Sequence, residues 1–406
     1  MDPSQIQELT ARAEMYLTTL CSKISTRMVG TEGNREATDF YERTLRTFEF
    51  ELQKDEFDCL NWTDNGAAVT SGDKHFTSHV SPFSVSCDIH GPLVPISTID
   101  ELKTTEISGK IVLLIGDIAN EQIMPKNFPF YNPDHHKEII SLLEHKQPAA
   151  IIAATGKNPA MAGAVYPFPL FEDGDFLIPS VYMKDTEGEK LLKQSGDGVR
   201  LKIDSEHQPA TGYNITGRKG DFSEKRVVIF AHIDAKQGTA GAIDNATGII
   251  LLLLLAELLL DYSGSPGIEL VALNGEDYYS NPGEQLFMQQ NAGKFQNIIL
   301  GINSDGMGYR EGTTAYSLYN CPDDRSTTIG NILEGFETIS EGQQWYQGDH
   351  SIFVQNDVPA LAFTTTELDT ILSSIAHTKK DRPDIVKPKL ISDTALAVHR
   401  IVTNID

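Results

Sequence analysis

The chain has 406 residues, 40% of them apolar, so it is long enough for two domains, or one large domain with an insertion, and can build a real core. Its formal net charge of −24 argues against nucleic acid or an anionic membrane as partner, because both call for basic surface. Four scattered cysteines (Cys21, Cys59, Cys87 and Cys321) without a C-x-x-C pair argue against a zinc finger or a dense disulfide framework.

In chain order, Ser4 and Gln7 suit a capping box that opens a helix striped by Ile6, Leu9, Ala13, Leu17, Leu20 and Ile24. A glycine-bearing loop, R-M-V-G-T-E-G-N, leads to a second helix with Ala37, Phe40, Tyr41, Leu45 and Phe48 on one face. Two strand-like stretches follow, F-E-L-Q-K-D-E-F and G-A-A-V-T-S-G, and close a first part at residues 1–79. From 80 to 205 the texture changes. G-K-I-V-L-L-I-G and P-A-A-I-I-A-A-T-G read as buried strands, with a helix from Asp134 to His145 between them and another near Thr186. His135 and His136 are adjacent on that helix and do not share a face, so they read as surface residues. The third part, 206–406, alternates strands with helices. Its most apolar run, Ile249 to Leu260, is too short to span a bilayer and reads as a buried helix. No signal peptide is visible at the N-terminus, and the expected location is cytoplasmic.

The chemistry is concentrated between Val227 and Asp305. Three apolar runs, R-V-V-I-F-A-H-I-D, V-A-L-N-G-E-D and I-I-L-G-I-N-S-D-G, each end in acidic or imidazole side chains, and G-A-I-D-N-A-T-G lies between the first two. In an open α/β sheet, ligands gather outside the carboxyl ends of the strands. His232, Asp234, Asp244, Glu276, Asp277 and Asp305 would converge there. Five carboxylates and an imidazole repel one another unless a cation sits among them. Taken singly, each has a bland reading: a structural histidine, an N-cap, a solvated turn. Together, at the ends of successive strands, they predict a divalent metal centre.

Strand alternation places His232 and Asp234 on one side, where Asp234 can orient the ring. Asp244 is central and suits a carboxylate shared by two metals. Within Glu276-Asp277, one residue can coordinate while the other acts as general base. A second imidazole is still needed, with His350 and His377 as candidates.

This pattern resembles the zinc aminopeptidase family that also contains glutamate carboxypeptidase and glutaminyl-cyclase-like proteins. H-I-D at His232, D-N at Asp244, G-E-D at Glu276, S-D-G at Asp305 and A-H-T-K-K-D at His377 follow the family's order, and G-D-H-S-I-F-V-Q-N-D-V-P-A-L is similar to another of its stretches. The resemblance implies an α/β fold with a mixed central sheet flanked by helices, and a β-rich protease-associated-like domain inserted at 80–205. It implies two zinc ions, His232 and Asp305 on one, Asp277 and His377 on the other, with Asp244 bridging the two ions, and a cis peptide between Asp244 and Asn245. Glu276 would be the general base and Asp234 the partner of His232. His350 would shape the substrate pocket rather than bind metal, and Tyr346 would either support an oxyanion or serve as an aromatic core residue.

Asp277 departs from the family, which has Glu there. The side chain is shorter by roughly one carbon–carbon bond, while metal sites tolerate only about ±0.2 Å, so the second ion is the less secure of the two. The expected function is a zinc exopeptidase acting on peptides, with an aminopeptidase ahead of a carboxypeptidase. Its rivals are a single-zinc glutaminyl-cyclase-like enzyme and an inactive binding protein on the same fold. The sequence is compatible with a homo-oligomer.

Overall fold

The computed structural model describes residues 3–24, 26–157, 165–194, 198–223 and 225–405. The chain divides into two compact units. The first comprises Met1–Cys59, Thr211–Ile371 and Ile375–Asp406; the second comprises Leu60–Ala210 and Leu372–Ser374.

The sheet of the first unit runs in the order Ile339–Glu341, Thr314–Tyr319, Ala360–Thr365, Ile298–Ser304, Arg226–His232, Gly267–Leu273, then the 211–219 end of Val199–Lys219 and the start of Glu51–Ser71. The central strands from Ala360–Thr365 to Gly267–Leu273 are parallel. Antiparallel neighbours flank them, so the sheet is mixed. Parallel strands covered on both faces read as unbroken apolar runs, which is why Arg226–His232 and Gly267–Leu273 show no alternation. The helix Thr247–Leu258 is buried along its whole face from Thr247 to Ala256, the place for a helix that is apolar all round. It packs against the helices Pro3–Thr18 and Pro388–Val402. No helix among the described residues is long and apolar enough to cross a membrane.

Two local expectations change. The first helix begins at Pro3, so Ser4 lies inside it and is not its N-cap. The two stretches read separately after Phe50 belong to one strand, Glu51–Ser71.

The second unit has its own five-stranded sheet, ordered His79–Val80, Ser180–Lys184, Ala150–Thr155, Ile111–Leu114, Leu93–Ile96, with all but the first strand parallel. Its core gathers Ile96, Leu102, Val112, Leu143, Ile151 and Phe168. The helix Asp134–Lys146 carries a correction. His135 is exposed, but His136 is only 3% exposed, because the chain around Met124 crosses the first turn and the Met124 amide donates to His136 Nδ1 at 3.2 Å.

Candidate metal centre

His232 is the last residue of its strand and lies in register with Leu273, the last residue of the next. Glu276 and Asp277 follow Leu273 in the chain after two residues, and Asp305 directly follows the strand Ile298–Ser304 on the other side. Parallel pairing thus brings three strand ends to one edge. Asp244 enters from the turn Ala242–Ala246, where Asp244 and Asn245 have non-helical torsions and the peptide between them is cis. The Asn245 side chain pins this turn: its amide donates to Ser304 O at 2.8 Å and its oxygen accepts from Gly248 N at 3.0 Å. A Cβ on Gly248 would fall 2.5 Å from Asn245 Oδ1 and 2.6 Å from Ser304 O, so no larger residue fits. His377 closes the set with φ 61°, a left-handed conformation that a non-glycine residue rarely adopts and that tends to persist where the surroundings enforce it.

The two oxygens of Asp244 face two different imidazoles. Oδ1 lies 3.2 Å from His232 Nε2, and Oδ2 lies 3.1 Å from His377 Nε2. Asp305 Oδ1 is 3.7 Å and Glu276 Oε2 4.0 Å from His232 Nε2, while Asp277 Oδ1 is 3.0 Å from His377 Nε2. Four bonds of zinc length in a tetrahedron place donors about 3.3 Å apart, so these separations suit ligands gathered around small cations. Neither nitrogen of His232 has a hydrogen-bond partner, although the ring is fully buried. A buried, unpaired imidazole facing three carboxylates is the chemistry of a cation site. The shorter Asp277 still reaches its imidazole.

Electrostatics make the same point. Burial pulls His232 and His377 down, but the surrounding carboxylates outweigh it and hold both well above the ordinary histidine value. Burial would raise Asp244, but the two imidazoles hold it far below the carboxylate range. Glu276 goes the other way, raised by burial and by Asp277, Asp305 and Asp244 against the pull of His232.

Asp234 does less for His232 than its position in the sequence implies. Its Oδ1 stands 3.6 Å from His232 Nδ1, beyond hydrogen-bond length, and its carboxylate instead accepts the amides of Gly275 at 2.7 Å and Asp277 at 3.0 Å. It therefore shapes the loop that carries Glu276 and Asp277. Three supporting residues were missed in the sequence. Arg27, buried in the R-M-V-G-T-E-G-N loop, donates to the carbonyls of Ile233 (2.9 Å), Leu20 (3.0 Å), Ala240 (2.8 Å) and Gly241 (2.7 Å), so one guanidinium ties together the segments flanking His232 and Asp244. Asp381, four residues after His377, accepts the amides of Ile243 at 2.7 Å and Asp244 at 3.1 Å, and burial with the charge of Asp244 pushes it up to about 7. Asn281 donates to the Glu276 carbonyl and to Glu284 Oε1, each at 3.1 Å.

His377 joins the cluster; His350 does not. His350 is fully buried, donates from Nε2 to Trp345 O at 2.7 Å, and packs its ring against Trp345 and Tyr319. Tyr346 is 66% exposed, with its hydroxyl on Gln344 Oε1 at 3.1 Å.

The chain thus gathers paired histidine–carboxylate sets at the carboxyl edge of a mixed α/β sheet. Residues 214–402 match the model of peptidase family M28. The chain is similar in structure to a zinc aminopeptidase from Bacillus subtilis (TM-score 0.74, 17% identity, 97% of this chain and 94% of that one). It is also similar to an aminopeptidase from Aneurinibacillus sp. strain AM-1 (TM-score 0.71, 16% identity, 97% and 93%). A glutaminyl cyclase from Bacteroides thetaiotaomicron shares the fold more distantly (TM-score 0.54, 12% identity, 98% of each chain). In sequence, 123 residues are 28% identical to a probable leucine aminopeptidase 2 of Aspergillus oryzae; the match covers 29% of this chain and spans a quarter of that relative's length.

Proposed function

We propose that this chain is a zinc-dependent aminopeptidase with two metal ions at the site. His232 and Asp305 would hold one, Asp277 and His377 the other, and Asp244 would lie between them. The observation that carries this reading is Asp244, whose two oxygens face separate imidazoles at 3.2 and 3.1 Å. Zinc bound there would lower the pKa of water and polarise the scissile carbonyl. Glu276 is left over as the base. It is the most exposed carboxylate of the set, at 26%, and its raised affinity for protons suits a group that takes one from the attacking water and returns it to the leaving amine. His350 and Tyr346 are kept as substrate-side residues, and the second unit as a protease-associated-like insertion, on the family resemblance.

An acidic rim suits a substrate's free α-amino group. The arginines closest in sequence to the site motifs are engaged elsewhere: Arg310 Nε with Glu311 at 3.0 Å, and Arg382 Nε with Asp384 at 3.2 Å. This favours an aminopeptidase over an enzyme that grips a carboxylate.

The test is zinc content by elemental analysis together with hydrolysis of a panel of aminoacyl chromogenic substrates, for the wild type and Glu276→Gln. Two zinc ions at this site, chelator-sensitive hydrolysis, and a variant that keeps its metal but loses about 10²–10⁴-fold in kcat are expected. An equally active Glu276→Gln would overturn the mechanism. One ion without aminoacyl hydrolysis would favour the cyclase-like reading, and no metal the binding-protein reading.

A further inference from the structure

We propose that the second unit carries its own transition-metal site, formed by Glu121, His135 and His136. Neighbouring residues on a helix diverge by about 100°, yet here one carboxylate reaches both rings. Glu121 Oε1 lies 2.8 Å from His135 Nε2 and 3.2 Å from His136 Nε2. The ring centroids are 4.3 Å apart, and the three donor atoms all fall within 4.8 Å of one another. Donors of a tetrahedral zinc site stand about 3.3 Å apart, so shifts of up to about half an ångström at the two Glu121 contacts would bring them to that spacing.

The second observation is His136 itself. It is 97% buried, and its Nε2 has no hydrogen-bond partner: the Glu121 oxygen is near but not in line with the ring nitrogen. Leaving a buried polar atom unpaired is costly, which marks the position as one that a ligand completes. The ring lines a cavity of about 370 Å³ together with His135 and Glu121. Asp100, Asp117 and Glu138 add acidic charge to its wall, and Lys103 is paired with Asp100 at 3.6 Å and with Glu138 at 3.0 Å. A cavity of this balance takes a cation, and two imidazoles with one carboxylate select a zinc-like ion over calcium or magnesium.

Proton bookkeeping sets the cost of binding. The Met124 amide donates to His136 Nδ1, so in the metal-free protein the ring proton rests on Nε2. Ligation through Nε2 moves that proton to Nδ1 and releases the Met124 amide. Metal uptake is thereby tied to a rearrangement of the 121–124 segment.

The experiment uses the full chain, dialysed against zinc and analysed for bound metal, as wild type, His135→Ala and Glu121→Gln. Each variant changes a partly exposed residue and should bind one zinc fewer than the wild type with aminoacyl hydrolysis unchanged. Hydrogen exchange at the Met124 amide should quicken when zinc is added to the wild type and stay constant in His135→Ala. Equal zinc content in all three proteins would overturn the site, and an unchanged Met124 exchange rate on zinc binding would overturn ligation through His136. The readout is a difference in bound zinc, so it does not depend on what the first unit catalyses.

Discussion

Arg27 makes the sharpest demand on the structure. Its guanidinium holds four backbone carbonyls at 2.7–3.0 Å, two of them in residues next to or near metal-ligand candidates, Ile233 beside His232 and Gly241 before Asp244. A hydrogen bond from a charged donor contributes about 1.5–3 kcal/mol, but four such bonds do not add up, since water and backbone relaxation recover part of the loss. Arg27→Met removes every donor and should cost about 4 kcal/mol, at the upper end for single substitutions. Arg27→Lys keeps the charge but offers three donors from one compact ammonium, which cannot span the fork, and should cost about 1.5–3 kcal/mol. The telling readout is metal affinity. If the guanidinium aligns the segments that carry His232 and Asp244, then Arg27→Lys should weaken zinc binding about 10–100-fold, as measured by competition with a chromogenic chelator. Urea unfolding of the metal-free protein gives the stability term separately. An Arg27→Lys protein within about 0.5 kcal/mol of wild type, with unchanged zinc affinity, would refute the argument.

Asp277→Glu, which restores the residue usual in the family, should weaken rather than strengthen the second ion. Asp277 Oδ1 is already 3.0 Å from His377, Oδ2 accepts from Lys236 N at 3.1 Å, and its own amide is tied to Asp234, so a further 1.5 Å or so of side chain has to displace one of these contacts. Zinc titration showing tighter binding would contradict this. His350, lowered to about 4 by burial, predicts a pH-dependent stability. Both folded and unfolded forms are neutral above pH about 6.5, so the contribution is complete there; as pH falls from 6.5 towards 4 only the unfolded form takes the proton, and up to roughly 3 kcal/mol is lost. Glu284 and Asp381, each raised to about 7, have the opposite slope, because the folded state keeps their protons between about pH 4 and 7 and stability falls as pH rises across that window. Comparing urea unfolding of wild type and His350→Phe from pH 4 to 7 isolates the histidine. A pH dependence identical in the two proteins would sink the assignment.

What could be read from the sequence, and what could not, divides along a physical line. His232, Asp244, Glu276, Asp277 and Asp305 were visible because each follows or precedes a local pattern, an apolar strand ending or a turn before a helix, and parallel pairing then brings the ends together. The buried Thr247–Leu258 helix was legible for the same reason, because its apolar run is local, whereas the mixed sheet was expected from the family resemblance. Arg27 and Asp381 were not legible, because their partners are backbone groups. Arg27 reaches a carbonyl 206 positions away and Asp381 an amide 138 positions away, and a backbone group leaves no complementary residue type to search for. Asp234 was legible as a site residue but not in its contacts: proximity to His232 suggested a hydrogen bond, whereas the two amides of the Gly275–Asp277 loop compete for the same oxygens and hold them. His136 shows a further limit. Helical spacing fixes the direction in which a side chain leaves its own helix, but not which other segment lies over it. Met124 and Glu121 come from an irregular stretch with no periodicity of its own, and their placement turns a residue expected at the surface into a buried, unpaired imidazole. Local pattern therefore points to candidate ligands at the ends of regular elements, whereas a candidate cluster completed by irregular chain, such as that of Glu121, His135 and His136, has to be tested by counting metal in variants rather than by motif.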